Sequence, residues 1–269
     1  MKSFSIKRYW HTLRWYLTTN RNQQIAWTLG IALILLTVHL LFLWVYRHSL
    51  VYYAARNATY GLGFDIFICS FAALIATSSI FSPVKKKQQR IAYLTLPATN
   101  LERFLVALTN VLVVWPICIF IAFVLSDTLR MIILGILTGT WSSALASIHL
   151  PIPGTIDQAL MALYSFATTL WLVSVYVLAG TWLRRHPFAI TTFALIILST
   201  VLSVICMRYI ASNINSLVEF FLQYFNPDNV RLLVLVSSLV IIALSLFHFW
   251  LSFRIFRRFQ IVTSKWTNL

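Results

Sequence analysis

The segment SPVKKKQQRIAYLTLPATNLER, residues 82–103, is the longest polar stretch between two long apolar runs of this chain. Pro83 and Pro97 interrupt any helix that would continue through it, because proline lacks the backbone donor that a helix requires. Thr99 and Glu102 have the three-residue spacing of a capping box, in which both side chains satisfy free amide groups at a helix start. The sequence therefore predicts a polar hairpin that ends in a capped helix entering the next apolar run.

The composition is typical of a membrane protein. Hydrophobic residues make up 60% of the chain and charged residues only 10%, whereas soluble domains are about 25% charged. The formal net charge of +15 could suggest nucleic-acid binding, but the cations flank apolar runs and do not form one basic face. We therefore expect an all-α polytopic membrane protein in contact with lipid, and no nucleic-acid partner.

Apolar runs of about 20 residues are long enough to cross the hydrocarbon core as helices. Six such runs predict six transmembrane helices in a single transmembrane domain, 1–269: 25–45, 62–82, 104–125, 160–183, 188–207 and 232–253. Pro116 lies inside the third run and is expected to kink that helix. Residues 4–20 place apolar residues at helical spacing and cations on another face, which favours an interfacial amphipathic helix over a merely basic flank.

The distribution of Lys and Arg predicts that both termini and the loop between the second and third spans face the cytoplasm. With six spans, this orientation leaves five of the 21 cations outside: Arg47, Arg56, Arg130, Arg208 and Arg231. The segment 128–150 is also apolar enough to span, but a crossing there would reverse all later segments and weaken the bias. We therefore expect 128–150 to be a re-entrant or interfacial outer segment of a multi-pass protein of the inner (cytoplasmic) membrane. Within it, Gly135 and Gly139 form a small-xxx-small pair that could allow close helix approach.

The sequence contains no motif for catalysis, cofactor binding or metal binding. It lacks a phosphate-binding GxxxxGK[ST] loop and an HExxH pair, its six acids are scattered, and its three cysteines lie in apolar runs without paired spacing. We expect no catalytic residue, no cofactor and no metal site. If ATP drives this protein, a separate chain hydrolyses it.

Three ionisable residues, His39, Asp65 and His248, lie inside predicted spans. Such residues are costly in hydrocarbon and usually face a bundle interior or a cavity. In one interpretation, each histidine is neutral and hydrogen-bonded across helices, and Asp65 reaches water near the end of its span. In the other, the three residues form a proton relay.

Residues 90–103, RIAYLTLPATNLER, resemble a known family. The membrane subunits of type-2 ATP-binding-cassette exporters have an interfacial N-terminal helix, six spans, cytoplasmic termini and a coupling helix between spans two and three. Their loop often reads Leu-x-Leu-Pro-x-Ser/Thr followed by Glu-Lys/Arg, and the present sequence looks most like short permease-like proteins of Bacteroidetes. The outer region departs from the family, which has re-entrant outer helices between spans five and six, whereas here the apolar outer segment follows span three.

The resemblance implies a permease subunit that is moved by a separate ABC-type ATPase and works as a homodimer or paired with a second permease. The residues expected to make the contact, with Glu102 holding the helix start, are Arg90, Tyr93, Leu94, Leu96, Pro97 and Glu102. Two alternatives remain. The chain could be a non-transporting scaffold or regulator that recruits a partner complex through the same loop, or a small secondary transporter or channel that uses His39, Asp65 and His248.

Overall fold

The computed structural model describes residues 4–46, 48, 50–81, 87–139, 141–147, 154–214 and 226–258. These residues are overwhelmingly helical and form no strand. The α-helices in this part of the chain are α1 (Ile6–Val45), α2 (Leu50–Ser78), α3 (Lys87–Leu94), α4 (Asn100–Thr109), α5 (Trp115–Thr138), α6 (Ile156–Trp182), α7 (Pro187–Ser212) and α8 (Pro227–Phe256). A π-helical turn, Asn110–Val114, joins α4 to α5 without a break, and a 3-10 turn covers Leu145–Ser147.

Five helical segments of the described chain are long and apolar enough to cross a membrane: Ile6–Val45, Asn100–Thr138, Ile156–Trp182, Pro187–Ser212 and Pro227–Phe256. They indicate a multi-pass membrane protein. The predicted spans 188–207 and 232–253 fall within α7 and α8, and the predicted span 160–183 matches α6 except for its last residue, which is the C-cap of that helix. The predicted span 62–82 corresponds to a shorter apolar helical stretch, Leu62–Ser78, inside the 29-residue α2.

The N-terminal prediction is corrected in one respect. The interfacial helix at 4–20 and the span at 25–45 were expected as two elements, but α1 runs unbroken through both for 40 residues. The polar residues at 21–24 include no glycine or proline, so they change the surroundings of the helix without ending it.

The third predicted span, 104–125, is part of a longer helical segment that runs from Asn100 to Thr138. Pro116 stands in the first turn of α5, directly after the π-helical turn. Since proline removes a donor from the helical hydrogen-bond ladder, a local change of pitch here is expected. A π-helical turn thus precedes Pro116, and the kink expected there stays a prediction.

The segment 128–150 is helical through Thr138, and Gly139 ends α5 in the left-handed conformation, with φ of 71°. Gly135 faces the ring of Trp141, which follows the turn, and this ring supplies the atoms nearest to the position of a Cβ at Gly135. The two glycines therefore terminate a helix and accommodate an indole, which differs from the predicted small-xxx-small contact. Residues 148–150 lie outside the described part of the chain.

The chain divides into two compact units, residues 1–80 with 91–151, and residues 81–90 with 152–269. In the first unit, α1 and α5 run parallel, because Trp27 packs edge-on against Trp115 and, further along both helices, Leu43 packs against Leu134. Helix α2 runs antiparallel to α1, since Phe42 near the end of α1 contacts Phe64, whereas Ile31, earlier in α1, belongs to a core cluster that Ala72, later in α2, packs against. Buried residues between these helices include Leu35, Ile119 and Ala122.

In the second unit, α6 and α8 run parallel and in register. Arg231 binds Asp157 and His248 binds Ser174, and each pair is separated by 74 residues along the chain. Helix α7 returns antiparallel to α6, with Tyr176 bonded to Thr192. Each unit therefore contains two parallel long helices with an antiparallel helix between them in the sequence.

Small residues at seven-residue intervals line the contact between α6 and α8. The fully buried residues at this spacing are Ala167, Ser174 and Thr181 on α6, and Ser238, Ser245 and Ser252 on α8. Small side chains let helix backbones approach closely in a membrane, where packing drives association. Each serine hydroxyl on α8 donates to a carbonyl one turn earlier, so close packing leaves these hydroxyls satisfied.

Candidate functional site

The start of α4 carries the predicted capping box. The Thr99 hydroxyl accepts a hydrogen bond from the Glu102 amide at 3.2 Å, and the Glu102 carboxylate accepts one from the Thr99 amide at 2.8 Å. This reciprocal pair satisfies two amide groups that a helix start leaves free. The prediction is confirmed, and Glu102 is fully buried.

The same carboxylate also binds the first residues of the chain that the structure describes. Glu102 Oε1 accepts from the Ser5 amide at 2.8 Å and from the Arg8 guanidinium at 3.0 Å. Next to Arg8 on α1, the Tyr9 hydroxyl lies 2.7 Å from the hydroxyl oxygen of Thr109 at the end of α4. Glu102 therefore holds the start of α4 and the start of α1 together. The sequence analysis missed this role of Arg8, because its partner lies 94 residues away.

Tyr93 at the end of α3 forms a second anchor. Its ring packs edge-on against Tyr16 of α1 with centroids 6.4 Å apart, and its hydroxyl donates to the Arg103 carbonyl at 2.8 Å. Burial raises the pKa of Tyr93, so its hydroxyl remains a protonated donor. The Arg103 guanidinium in turn donates to the Leu96 carbonyl. These contacts close the loop between α3 and α4 onto α1.

The residues predicted to contact a partner occupy different environments. Pro97 is exposed and Leu96 is half-buried, so the surface at this point is open to a partner. Tyr93 is only 1% exposed, which conflicts with the prediction that it touches a partner directly. The side chains of Arg90 and Leu94 lie outside the described residues, as do Lys85 and Lys86.

The exposed side of this segment consists of Ile91, Ala92, Thr95 and Pro97, which we call the 91–97 surface. Ile91, Ala92 and Thr95 share one helical face because they stand at positions i, i+1 and i+4. Tyr93 points away from that face into the protein. The sequence analysis missed Ile91 and Ala92, although the helical spacing of apolar residues around Tyr93 was a usable signal.

The structure brings together two of the three ionisable residues expected inside spans. His39 of α1 and Asp65 of α2 are both buried, and Nε2 of the imidazole lies 3.2 Å from Oδ1 of the carboxylate. One interpretation of the sequence expected Asp65 to reach water, and the structure shows that it does not. His248 pairs with Ser174 of α6 instead, with 3.0 Å between Nδ1 and the hydroxyl oxygen, which fits the expected hydrogen bond between helices.

A further polar cluster, absent from the predicted site, surrounds Asp127 of α5. Its carboxylate accepts from the Arg130 guanidinium at 2.6 Å, the Ser143 hydroxyl at 2.7 Å and the Ala144 amide at 3.1 Å. Arg130 also donates to the Ser142 carbonyl at 3.1 Å. Since every contact satisfies a buried charge or a free amide, the cluster fastens the segment 141–147 to α5.

Among the residues that the structure describes, no group of three His, Cys, Asp or Glu side chains is placed to hold a metal ion. Neither a protein-family model, nor a curated protein, nor a solved structure matches the chain. The fold and composition define the class: an all-helical, multi-pass membrane protein. What it does is inferred from the geometry of the start of α4.

Proposed function

We propose that the chain is the membrane-embedded permease subunit of an ATP-binding-cassette exporter, moved by a separate ATPase through the 83–103 loop. The observation that carries this proposal is the attachment of the 91–97 surface to two long helices. Glu102 ties the start of α4 to α1, and Tyr93 ties the end of α3 to both. A partner that pushes on this surface would therefore move α1 and α4 together.

The contacts further along the helices support transmission of that movement. Gln24 of α1 donates to Asn110 at 2.8 Å, and Trp27 packs against Trp115. The π-helical turn 110–114 lies between these two contacts, since Asn110 is its first residue and Trp115 begins the long α5. Because π turns have irregular hydrogen bonding, this is where the segment would bend. The ATPase would drive the change by binding two conformations of the loop differently.

The six-span topology is also a proposal. Parallel helices α1 and α5 can both cross the membrane only if the chain returns between them, and the antiparallel α2 is the element that can return. At 29 residues, α2 is about 43 Å long, which exceeds the hydrocarbon thickness of about 30 Å. The cation distribution supports cytoplasmic termini and the inner membrane as the location.

The second half of the chain supports a paired arrangement of permeases. Helix α7 is almost wholly exposed, with Pro187 and Thr191 as its buried residues. Its exposed side chains are mostly apolar, so lipid or another permease would cover them. A homodimer or a pair with a second permease would provide such a cover.

The test is co-purification with an ABC-type ATPase, and the partner to use is a Walker-motif ATPase encoded in a neighbouring reading frame, which the exporter proposal predicts to exist. Both chains are co-expressed and the permease is isolated in mild detergent, and we expect the ATPase to accompany it. The variant Ile91→Asp places a charge on the 91–97 surface and should reduce ATPase recovery at least about tenfold, as expected for a central contact. The matched control Ile156→Asp changes an exposed isoleucine at the start of α6 and should leave recovery unchanged.

Other outcomes identify the alternatives. If the chain isolates a complex without a nucleotidase, and loop variants release it, the scaffold interpretation replaces the exporter. The buried His39–Asp65 pair favours the secondary transporter as the other candidate. That function would require ion-driven uptake into proteoliposomes that contain this chain alone.

A further inference from the structure

A groove of about 340 Å³ lies between α2 and α5, and most of the residues that line it are apolar. Leu62, Ile119, Phe120 and Phe123 form much of the wall, and Asp65 and Ser70 supply the polar groups. This volume lies in the range of pockets that bind small organic molecules, which are typically apolar with a few placed polar groups. The groove therefore has the composition of a ligand site with one anionic anchor.

The anchor is a carboxylate without a hydrogen-bond partner. Asp65 is 1% exposed, and among the described residues neither of its oxygens accepts a hydrogen bond. His39 Nε2 lies 3.2 Å away, but the two groups do not meet in hydrogen-bonding geometry. A buried carboxylate in this condition is costly, because the neighbouring imidazole does not replace the hydrogen bonds that water would make to it. Asp65 thus lines the groove with its oxygens buried, and a donor cation would satisfy them once a small movement of the lining let it reach them.

We propose that this groove binds a hydrophobic amine, with its ammonium group on Asp65 and its apolar body against Phe120 and Phe123. An ammonium supplies a charge-assisted hydrogen bond to the carboxylate, which is stronger than a neutral one. The phenyl rings add apolar contact and attract the cation through their faces. That such amines are the substrates of a permease rests on the proposed function. Binding of an amine to the purified chain tests the groove itself.

The negative charge of the Asp65 carboxylate favours a cationic ligand. A neutral lipid chain would fill the apolar wall and leave both carboxylate oxygens unpartnered, and an anion would face Asp65 with like charge. A protonated amine satisfies the wall and the carboxylate at the same time. The groove is open along one side, so the apolar part of a ligand could enter from the membrane.

The experiment measures binding of dansylcadaverine, a fluorescent primary amine, to the wild-type chain in phosphatidylcholine nanodiscs, with empty nanodiscs subtracted. Its neutral N-acetyl derivative is the matched probe. We expect the amine to bind about tenfold to a hundredfold more tightly than the derivative, as a charge-assisted hydrogen bond provides. In Asp65→Asn, this preference should disappear, while Asp228→Asn, which changes an exposed carboxylate of the other unit, should retain it.

A second variant protects the test if Asp65→Asn does not fold. Ser70 is exposed in the groove, so Ser70→Phe narrows it while leaving Asp65 in the sequence, and it should weaken binding of both probes at least about tenfold. Equal affinity of the two probes in the wild type would show an apolar groove only and overturn the proposal. Retention of the amine preference in Asp65→Asn would also overturn it. These measurements need no ATPase, so their failure leaves the co-purification result untouched, and the reverse also holds.

Discussion

The Arg8 guanidinium donates to the fully buried carboxylate of Glu102 at 3.0 Å, across 94 residues of sequence. This ion pair joins the first turn of the longest helix to the capping box of α4. The 91–97 surface therefore belongs to a braced element, in which displacement of α4 pulls on α1. The first prediction follows from this bond.

Replacing Glu102 with Gln should destabilise the protein by about 2–4 kcal/mol. The amide nitrogen of Gln is a donor and cannot accept the hydrogen bonds that one carboxylate oxygen accepts, and Arg8 loses its counter-charge. The measurement is the apparent Tm in detergent, followed by fluorescence-detected size exclusion. Asp228→Asn serves as the control, since that carboxylate is 82% exposed. Equal Tm values for the two variants would contradict the structural role of Glu102.

The second prediction concerns Tyr93. Tyr93→Phe keeps the ring on Tyr16 and removes the hydrogen bond to the Arg103 carbonyl, so it should cost about 1 kcal/mol. Tyr93→Ala also removes the buried ring and should cost about 3–5 kcal/mol, as for other large aromatic truncations. The same thermal assay compares the two. If Ala were tolerated as well as Phe, the ring would not be an internal anchor.

The third prediction concerns Asp127 and the segment it holds. Asp127→Asn should loosen residues 141–147, because a neutral amide cannot accept from Arg130, Ser143 and Ala144 as the carboxylate does. The measurement is the maleimide labelling rate of Ala144→Cys, a position that is 2% exposed, in a chain whose native cysteines are replaced by alanine. The rate should rise about tenfold to a hundredfold, matching the loss of charged hydrogen bonds.

Asp157→Asn is the control for this labelling experiment. Its carboxylate is 62% exposed and binds Arg231 in the other unit, so the labelling rate at position 144 should not change. Equal rates in wild type and Asp127→Asn would mean that the segment is held by other contacts.

The fourth prediction uses two glycines. A Cβ added at Gly135 would lie 2.8 Å from the Trp141 ring, so Gly135→Ala should displace the indole and lower the Tm. A Cβ at Gly30 would meet nothing within 4 Å, and Gly30→Ala should raise stability by about 0.5–1 kcal/mol through helix propensity. Adding Trp141→Ala to Gly135→Ala should remove the penalty of the clash. Additive losses in the double variant would exclude this contact as the cause.

The fifth prediction concerns the seam between α6 and α8. Ser245→Leu forces a larger side chain into a fully buried position and should destabilise the second unit by about 1–3 kcal/mol. Ala243→Leu makes a comparable enlargement at an exposed position of the same helix, where stability should be nearly unchanged. Thermal unfolding in detergent compares the two variants. If both lowered the Tm equally, Ser245 would not lie in a close contact between α6 and α8.

Part of this molecule follows from local patterns. The last three long helices coincide with the apolar runs predicted for them, because a run of about 20 apolar residues specifies a buried or membrane helix. The capping box was predictable for the same reason, since Thr99 and Glu102 act across three residues. The continuity of α1 was not predictable in this way, because polar residues at 21–24 resemble a boundary without breaking the helix.

The pairing of helices needed the tertiary structure. The serines at 238, 245 and 252 were visible as a seven-residue spacing, but their partner helix was not. Likewise, three intramembrane ionisable residues were recognisable, whereas the structure decided that His39 meets Asp65 and that His248 meets Ser174. Such choices depend on which helix faces meet.

The amino-acid sequence by itself therefore determined the all-helical, membrane-protein character and the capped start of α4. These properties depend on composition and on residues a few positions apart. Only the tertiary structure decided that Glu102 holds Arg8, that Asp127 fastens 141–147 and that Asp65 lies beside His39 at an apolar groove without a hydrogen bond. The physical reason is that a buried polar group must find its partner in space, and the partner's position is set by the packing of whole helices.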